Sequence, residues 1–323
     1  MAIISNCTAS IIKDAALALK EGHLVAFPTE TVYGLGADAT NKKAVARIYE
    51  VKGRPIDHPL IVHISSMKLL DKWASEIPEF AIKLARAFWP GPMTLVLKRT
   101  ELAKDFITGG QDTVAIRVPS HALANQLLKA FESLGGYGVA APSANRFGKV
   151  SPTNSQAVEE ELGNFLLENE QILDGGQSQI GIESTIIDCT TNSPSILRPG
   201  YVTKEMIQAL LGKKVLEPDF HKLQIKAPGS SESHYSPIAQ VVINGFANSG
   251  DGFIALSEIP TPSGAVRLAS PRNKLEYANV LYRALRLADS KGIKTVHVIP
   301  PVKQGIGVAI NNRLTKASKN LRI

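Results

Sequence analysis

Up to residue 211, short apolar runs alternate with segments whose apolar residues recur at helical spacing. That pattern fails over 212–238 and then resumes to the end. Runs such as PLIVHIS (59–65), MTLVLKR (93–99) and TVAIRVP (113–119) are too short for buried helices and read as buried strands. HLVAFPT, YGVAAPS, QILDGG, STIIDCT and SILRPG supply further strands. Between them SIIKDAALALKEG (10–22) predicts a helix with Ser10 as N-cap and Gly22 as its stop. NKKAVARIYEVKG predicts a second helix. PEFAIKLARAFW predicts a third, opened by Pro78, with Phe80, Leu84, Ala85 and Phe88 on one stripe. More helices are expected near 120–133, 154–162 and 203–211, whereas ETVYGLGADA reads as a glycine-bearing loop. This pattern predicts a mixed α/β domain with a large twisted sheet over residues 1–211.

Residues 212–238 are rich in Pro, Gly and Ser, with no sustained period, as in a linker or a long functional loop. After them QVVING, DGFIAL, AVRLAS and TVHVIPP read as strands and IGVAINNRLTKAS as a final helix. LEYANVLYRALRLADSKGI reads as a strong helix with Leu275, Ala278, Leu281, Leu285 and Ala288 along one side. A second, small α/β domain with a partly parallel sheet is therefore expected over 239–323. A chain of 323 residues suits two domains.

The chain is 44% hydrophobic and 20% charged, which excludes a disordered composition. No apolar run approaches the length that crosses a bilayer, and the N-terminus carries no basic, signal-like start. Cys7 and Cys189 are too few for a disulfide framework or a zinc site and fit a reducing compartment, so a cytoplasmic location is expected. The net charge of +7 favours a polyanion such as a nucleotide or RNA. GxxxxGK[ST], GxSxG and HExxH are absent, and the Gly34/Gly36 and Gly305/Gly307 pairs lack the third glycine of a dinucleotide loop. His58 and His63 are poorly spaced for a metal pair, and no protein-held metal is expected.

Polar residues then stand out where apolar ones belong. Lys52, Arg54, His58 and His63 crowd a buried strand, where they could clamp phosphates or a carboxylate, or form a solvated loop with a core histidine. Thr29, Glu30 and Thr31 lie between a strand and two glycines that let backbone approach a ligand. Arg117 sits mid-strand and requires a partner, either a buried ion pair or a ligand. APSAN (141–145), Ser151, Ser184, Thr185 and Arg198 gather at strand ends, where α/β proteins bind ligands.

At these segments the sequence resembles the YrdC-type threonylcarbamoyl-AMP synthases in their two-domain form. FPTETVYGLGADA, VKGRPIDHPLIVHI, FWPGPMTLVL, VAIRVPSH, APSANRFGKVSPT, GIESTIID and LRPG follow in the family's order, and HYSP and GIGVAINNRL match its extra domain. The resemblance implies a YrdC-like open twisted mixed sheet with helices, a linker folding over the site, and a small Rossmann-like C-terminal domain. It implies condensation of L-threonine, bicarbonate and ATP, with release of pyrophosphate, as the first step of threonylcarbamoyladenosine formation in tRNA. Mg2+ would arrive on the nucleotide, and tRNA or tRNA-modification proteins would act downstream. By motif, Thr31, His63, Arg117, Ala141 and Ser184 would hold L-threonine. Arg54, His58, Thr113, Ser143, Ser151, Arg198 and Tyr235 would hold ATP, with Lys52 near the phosphates and Lys52 and Arg54 serving turnover. This sequence departs from the family at Ser230–Ser233, where Glu232 replaces an expected basic neighbour, and at His58, where asparagine is common. A non-catalytic RNA-binding module and a carbamoyl transferase acting on another acceptor remain alternatives.

Overall fold

The computed structural model describes the backbone of residues 3–6 and all of residues 8–216 and 235–319. Cys7, Glu232, His234 and most of the expected linker lie outside the described residues. The first unit opens with β1 (Ile3–Asn6), α1 (Ala9–Glu21), β2 (Val25–Phe27), β3 (Gly34–Asp38), α2 (Lys42–Lys52) and β4 (Ile61–His63). It continues with α3 (Leu70–Trp73), β5 (Ala74–Ser75), α4 (Glu79–Phe88), β6 (Met93–Arg99), α5 (Asp105–Thr108), β7 (Thr113–Arg117) and α6 (Ala122–Ser133). It ends with β8 (Val139–Ala140), α7 (Ser155–Leu162), β9 (Gln171–Asp174), β10 (Thr185–Asp188), β11 (Ser195–Arg198) and α8 (Lys204–Leu211). The second unit holds β12 (Gln240–Ile243), β13 (Gly252–Ile254), β14 (Val266–Ala269), α9 (Lys274–Ser290), β15 (Thr295–Val298) and α10 (Ile306–Ser318).

The large sheet is mixed and runs β1-β9-β2-β3-β8-β4-β7-β6-β10-β11, with β5 beside β6. Strand alternation divides its two faces. Val62, Ile116 and Leu95 are register partners facing the main core, where they meet Ile48, Leu84 and Ile107 from the helices. Their neighbours Ile61, Ala115 and Val96 face the other side and form a smaller apolar strip with Ile186 and Leu197. His63 and Arg117 are register partners on that same side, beyond the end of the strip. The candidate residues therefore gather on the face opposite the main core, which they share with α1 and α6, packed around Phe27, Val139 and Ala141.

Several sequence expectations change. Residues 34–38 form a central strand rather than a loop. Gly34 and Gly36 conceal its pattern because there is no room for side chains: a Cβ on Gly36 would lie 2.8 Å from Phe27 and Val139. The first helix is capped by Thr8, whose hydroxyl accepts from the Ile11 amide, and Ser10 lies within the helix. Leu275 is exposed on α9, where Tyr277 and Tyr282 are buried instead.

The small sheet runs β12-β15-β13-β14 and is parallel throughout, rather than partly so. Its core is not private. Val32, Val150 and Ile182 from the first unit pack into one cluster with Tyr277, Leu281, Tyr282, Ile310 and Leu314. Along α9, Asn279 donates to the carbonyls of Ser178 and Gln179, and Arg286 donates to the Val150 carbonyl and pairs with Glu161. The close approach of Gly181 helps make this seam possible, since a Cβ there would lie 2.6 Å from the Asn279 backbone. Among the described residues no helix is long and apolar enough to cross a membrane.

Candidate active site

One pocket is lined by Thr31, Arg54, His63, Arg117, Ala141, Ser143, Ser184, Arg198 and Tyr235, all of them expected site residues. Glu183, Thr29, Tyr33 and Gly34 complete much of its wall. A wider cleft of about 660 Å³ runs between β14 and α9, but it holds none of the expected residues and no buried charge.

Arg117 is 4% exposed and has the partner that its place in an apolar strand demands. Its Nη2 lies 2.7 Å from Glu30 Oε1, its Nη1 donates to Thr31 Oγ1 at 2.9 Å, and its Nε donates to the Gly91 carbonyl at 3.3 Å. The buried ion pair and the pocket position thus coexist. No N–H of Nη2 is aligned on Glu30, so the guanidinium keeps donor capacity beside the pocket. Glu30 also accepts from the Ser120 amide, and Thr31 shares a hydrogen bond with Thr29 at 2.8 Å.

His63 lies beside Arg117 with its Nδ1 buried and without a hydrogen-bond partner. Burial, with Arg117 adding to it, pushes its pKa down to about 3, against weaker support from backbone hydrogen bonds to Ile61 and Val139. The ring is therefore neutral near pH 7 and available as an acceptor. On the opposite wall, the Ser184 hydroxyl meets Thr94 Oγ1 at 2.8 Å and accepts from Arg198 Nη2 at 3.1 Å. Arg198 Nε donates to the Ser184 carbonyl.

Arg54 donates from Nη2 to the Pro59 carbonyl, while its buried Nε has no partner. Burial lowers its pKa to about 10, with Arg198 adding repulsion and Tyr49 and Tyr235 opposing, so it stays charged near neutrality. Phe147 lies edge-on to the His58 ring at 5.4 Å and 6.0 Å from the Arg54 guanidinium. His58 thus adjoins Arg54 without lining the pocket. Thr113 also lies off the lining, at the start of β7, four residues before Arg117 and on the same strand face. Ser151 is buried behind the wall, where its hydroxyl donates to Glu183 Oε1 at 2.6 Å.

Lys52 lies behind the Ser143 wall and off the pocket lining. Its ammonium is buried away from the pocket and donates to the carbonyls of Ser143, at 2.6 Å, and Asn145. Burial, reinforced by Arg54, drives its pKa well below the ordinary value. The geometry makes Lys52 a pin for the 143–145 loop. Asn145 continues that loop by donating to the carbonyls of Arg146 and Lys149.

Sequence reasoning gave no role to a second set of residues. Glu183 Oε1 accepts from Ser151, while Oε2 accepts from Tyr282 at 2.8 Å and from Arg313 Nε at 3.1 Å. Burial alone would raise the Glu183 pKa, but Arg313, Arg198 and the Ser151 hydroxyl outweigh it and lower the value to about 2. Arg313 was detectable as a charge on the apolar stripe of α10, among Ile306, Ala309, Ile310, Leu314 and Ala317. Glu183 was similarly visible as an acid within GIESTIID.

Three buried guanidinium groups, one neutral imidazole and several hydroxyls therefore line one pocket with a single carboxylate, Glu183, which is paired to Arg313, while Glu30 pairs with Arg117 off the lining. Such a site receives an anion, or a molecule carrying several anionic groups. Residues 17–200 match the Sua5/YciO/YrdC family, described as "Telomere recombination", and residues 202–319 match the family described as "Threonylcarbamoyl-AMP synthase, C-terminal domain". The Threonylcarbamoyl-AMP synthase of Pyrococcus abyssi is 41% identical, over 98% of this chain and 98% of its own. That of Bacillus subtilis is 39% identical, over 95% and 92% respectively. The crystal structure of Pyrococcus abyssi Sua5 complexed with L-threonine superposes with a TM-score of 0.87 at 40% identity, covering 98% of this chain and 97% of that one. On both the matched domains and these full-length relatives, the chain belongs to the Sua5/YciO/YrdC family, in the form that carries the threonylcarbamoyl-AMP synthase C-terminal domain.

Proposed function

We propose that this chain is a threonylcarbamoyl-AMP synthase that joins L-threonine, bicarbonate and ATP in the pocket on the face of the large sheet that bears His63 and Arg117. The observation that carries this reading is the convergence of Arg54, Arg117 and Arg198, all buried, on one wall set that also holds a neutral His63. No Ser-His-Asp or Cys-His nucleophile is needed, because a carbamate is already a nucleophile. The threonine amine forms an N–C bond with CO2 derived from bicarbonate and gives up a proton. A carbamate oxygen then bonds the α-phosphorus as the α–β phosphoanhydride breaks, and pyrophosphate leaves with the electron pair. The protein's share is positioning and charge stabilisation.

In this reading Arg117 presents its unspent Nη2 donors to the threonine carboxylate, while Thr31, Ala141 and Ser184 bound the same molecule. His63 Nδ1 accepts from its amine or hydroxyl. Arg198, Arg54 and Ser143 face the polyphosphate and Tyr235 flanks the nucleotide, with His58, Thr113 and Ser151 completing its surroundings. Lys52 acts through the loop it pins. Among the described residues no group of three or more His, Cys, Asp or Glu side chains could hold a metal. A Mg2+ bound by phosphate oxygens and water would enter with ATP and neutralise the leaving group. Residues 1–211 would be the catalytic unit, 212–238 the connection and 239–323 the supporting unit. The product is a labile anhydride, so a downstream transferase carrying it to tRNA, in the cytoplasm, completes the reading. Incubation with labelled bicarbonate tests it. Label should enter an acid-labile adenylate only with both L-threonine and ATP, and label incorporation independent of threonine would exclude the proposal.

A further inference from the structure

Tyr235 has a backbone φ of +63°, a left-handed conformation that is strained for a bulky residue and persists only where its surroundings impose it. Those surroundings come from both units, Arg198 and Val32 of the first among them, and the second unit supplies two ring contacts. The Tyr282 ring of α9 stacks on Tyr235 at 5.7 Å and 23°, and the Arg313 guanidinium of α10 lies 5.4 Å from the centre of the Tyr235 ring. The same two residues grip Glu183, the neighbour of pocket residue Ser184. Arg313 further donates to the Pro199 carbonyl, next to Arg198, at 2.5 Å and to the Glu183 carbonyl at 3.4 Å. The chain at Ser236 is tied to the first unit by its amide donating to Gly148. Pocket residues Tyr235, Ser184 and Arg198 are thus each touched by, or adjacent in sequence to, a group held by Arg313.

We propose that Arg313 and Tyr282 are positioning residues for the nucleotide side of the pocket, through which the C-terminal unit sets ATP affinity without itself contacting ATP. Two features favour this over simple domain docking. Docking is already supplied along α9 by Asn279 and Arg286, whose bonds go to Ser178, Gln179, Val150 and Glu161, whereas Tyr235 and Tyr282 sit together inside the shared apolar cluster. And among the described residues the one acidic group of the first unit that Arg313 and Tyr282 meet is Glu183, which lines the pocket next to Ser184. On the L-threonine side, Arg117 and Thr31 take their side-chain partners from Glu30, Thr29 and Gly91 of the first unit, and Ser184 is the one residue of that side next to the group held by Arg313 and Tyr282.

The inference rests on the proposed reading of ATP at Arg198 and Tyr235, and its test separates the two. In the full chain, affinity for Mg-ATP and for L-threonine is measured by calorimetry, alongside the ATP KM for pyrophosphate release and the melting temperature. Tyr282→Phe keeps the ring and loses one hydrogen bond, and should weaken ATP binding about threefold. Arg313→Gln should weaken it about tenfold or more, Arg313→Lys should recover part of that loss, and L-threonine affinity should stay within about twofold. Arg283→Ala, on the exposed side of α9, should change neither. In a Tyr235→Ala background, Arg313→Gln should add less than about a twofold further loss, because the ring it positions is gone. A merely structural role lowers the melting temperature and the active fraction with both affinities unchanged, and that result overturns the inference. Equal loss of both ligands, or a full effect of Arg313→Gln without Tyr235, also overturns it. Wild-type protein that binds ATP but releases no pyrophosphate defeats the synthase reading while leaving the positioning test readable. Wild-type protein that does not bind ATP defeats both.

Discussion

Arg117 shows how a single residue can be both scaffold and ligand clamp. Its charge was conspicuous in TVAIRVP, and the sequence left two explanations, a buried ion pair or a ligand; the structure provides Glu30 for the first without using every donor. The two roles can be separated. Arg117→Ala should weaken L-threonine binding by about 10- to 100-fold, read by calorimetry. It should also cost about 3–5 kcal/mol of stability, because Glu30 is left buried without its cation. Adding Glu30→Gln should restore much of that stability, read by denaturant unfolding, and none of the affinity. Glu183 makes a prediction about pH. Its carboxyl falls from an ordinary 4.5 to about 2 in the folded protein, so below 4.5 the unfolded chain takes up a proton that the native state refuses. Its stabilising contribution is complete above 4.5 and is lost as pH falls towards 2. Unfolding free energy should therefore drop more steeply between those limits in the wild type than in Glu183→Gln, and equal slopes would refute the assignment.

At the scale of elements, most strands and helices were legible, because period-2 and period-3.6 apolar patterns survive wherever side chains pack. Strand β3 was not, since its pattern is written in glycines that leave space for Phe27, Val139 and Ala141. Gly36→Val should cost about 1–3 kcal/mol by overpacking and lower the denaturation midpoint, whereas the same change at open Gly148 meets no neighbour and is limited to its positive-φ strain. The spacing around Lys52 indicated a basic cluster, but could not say that α2 ends with its last lysine turned onto the 143–145 loop. That outcome depends on a contact 91 residues away in sequence. Lys52→Met should leave L-threonine affinity nearly unchanged and raise the ATP KM, as the loop bearing Ser143 loosens. A large fall in kcat with no change in KM would instead favour a direct role in turnover.

For the whole molecule, the break in periodicity after residue 211 announced two units, but not that they share a core. Val32, Val150 and Ile182 lie in segments to which the sequence assigned no packing partner, and their partners come from α9 and α10. A chain ending at residue 211 should therefore be markedly less stable than the full protein, with a lower melting temperature and a stronger tendency to aggregate. The charge on the stripe of α10 was the visible sign of this dependence, and it acquires meaning only once Glu183 is placed opposite. The central claim concerns one pocket serving three substrates, and pyrophosphate release with each substrate omitted in turn tests it most directly. The account predicts release from ATP only when L-threonine and bicarbonate are both present, with serine a much poorer substitute. Release that persists without L-threonine, or no release with all three present, would contradict it.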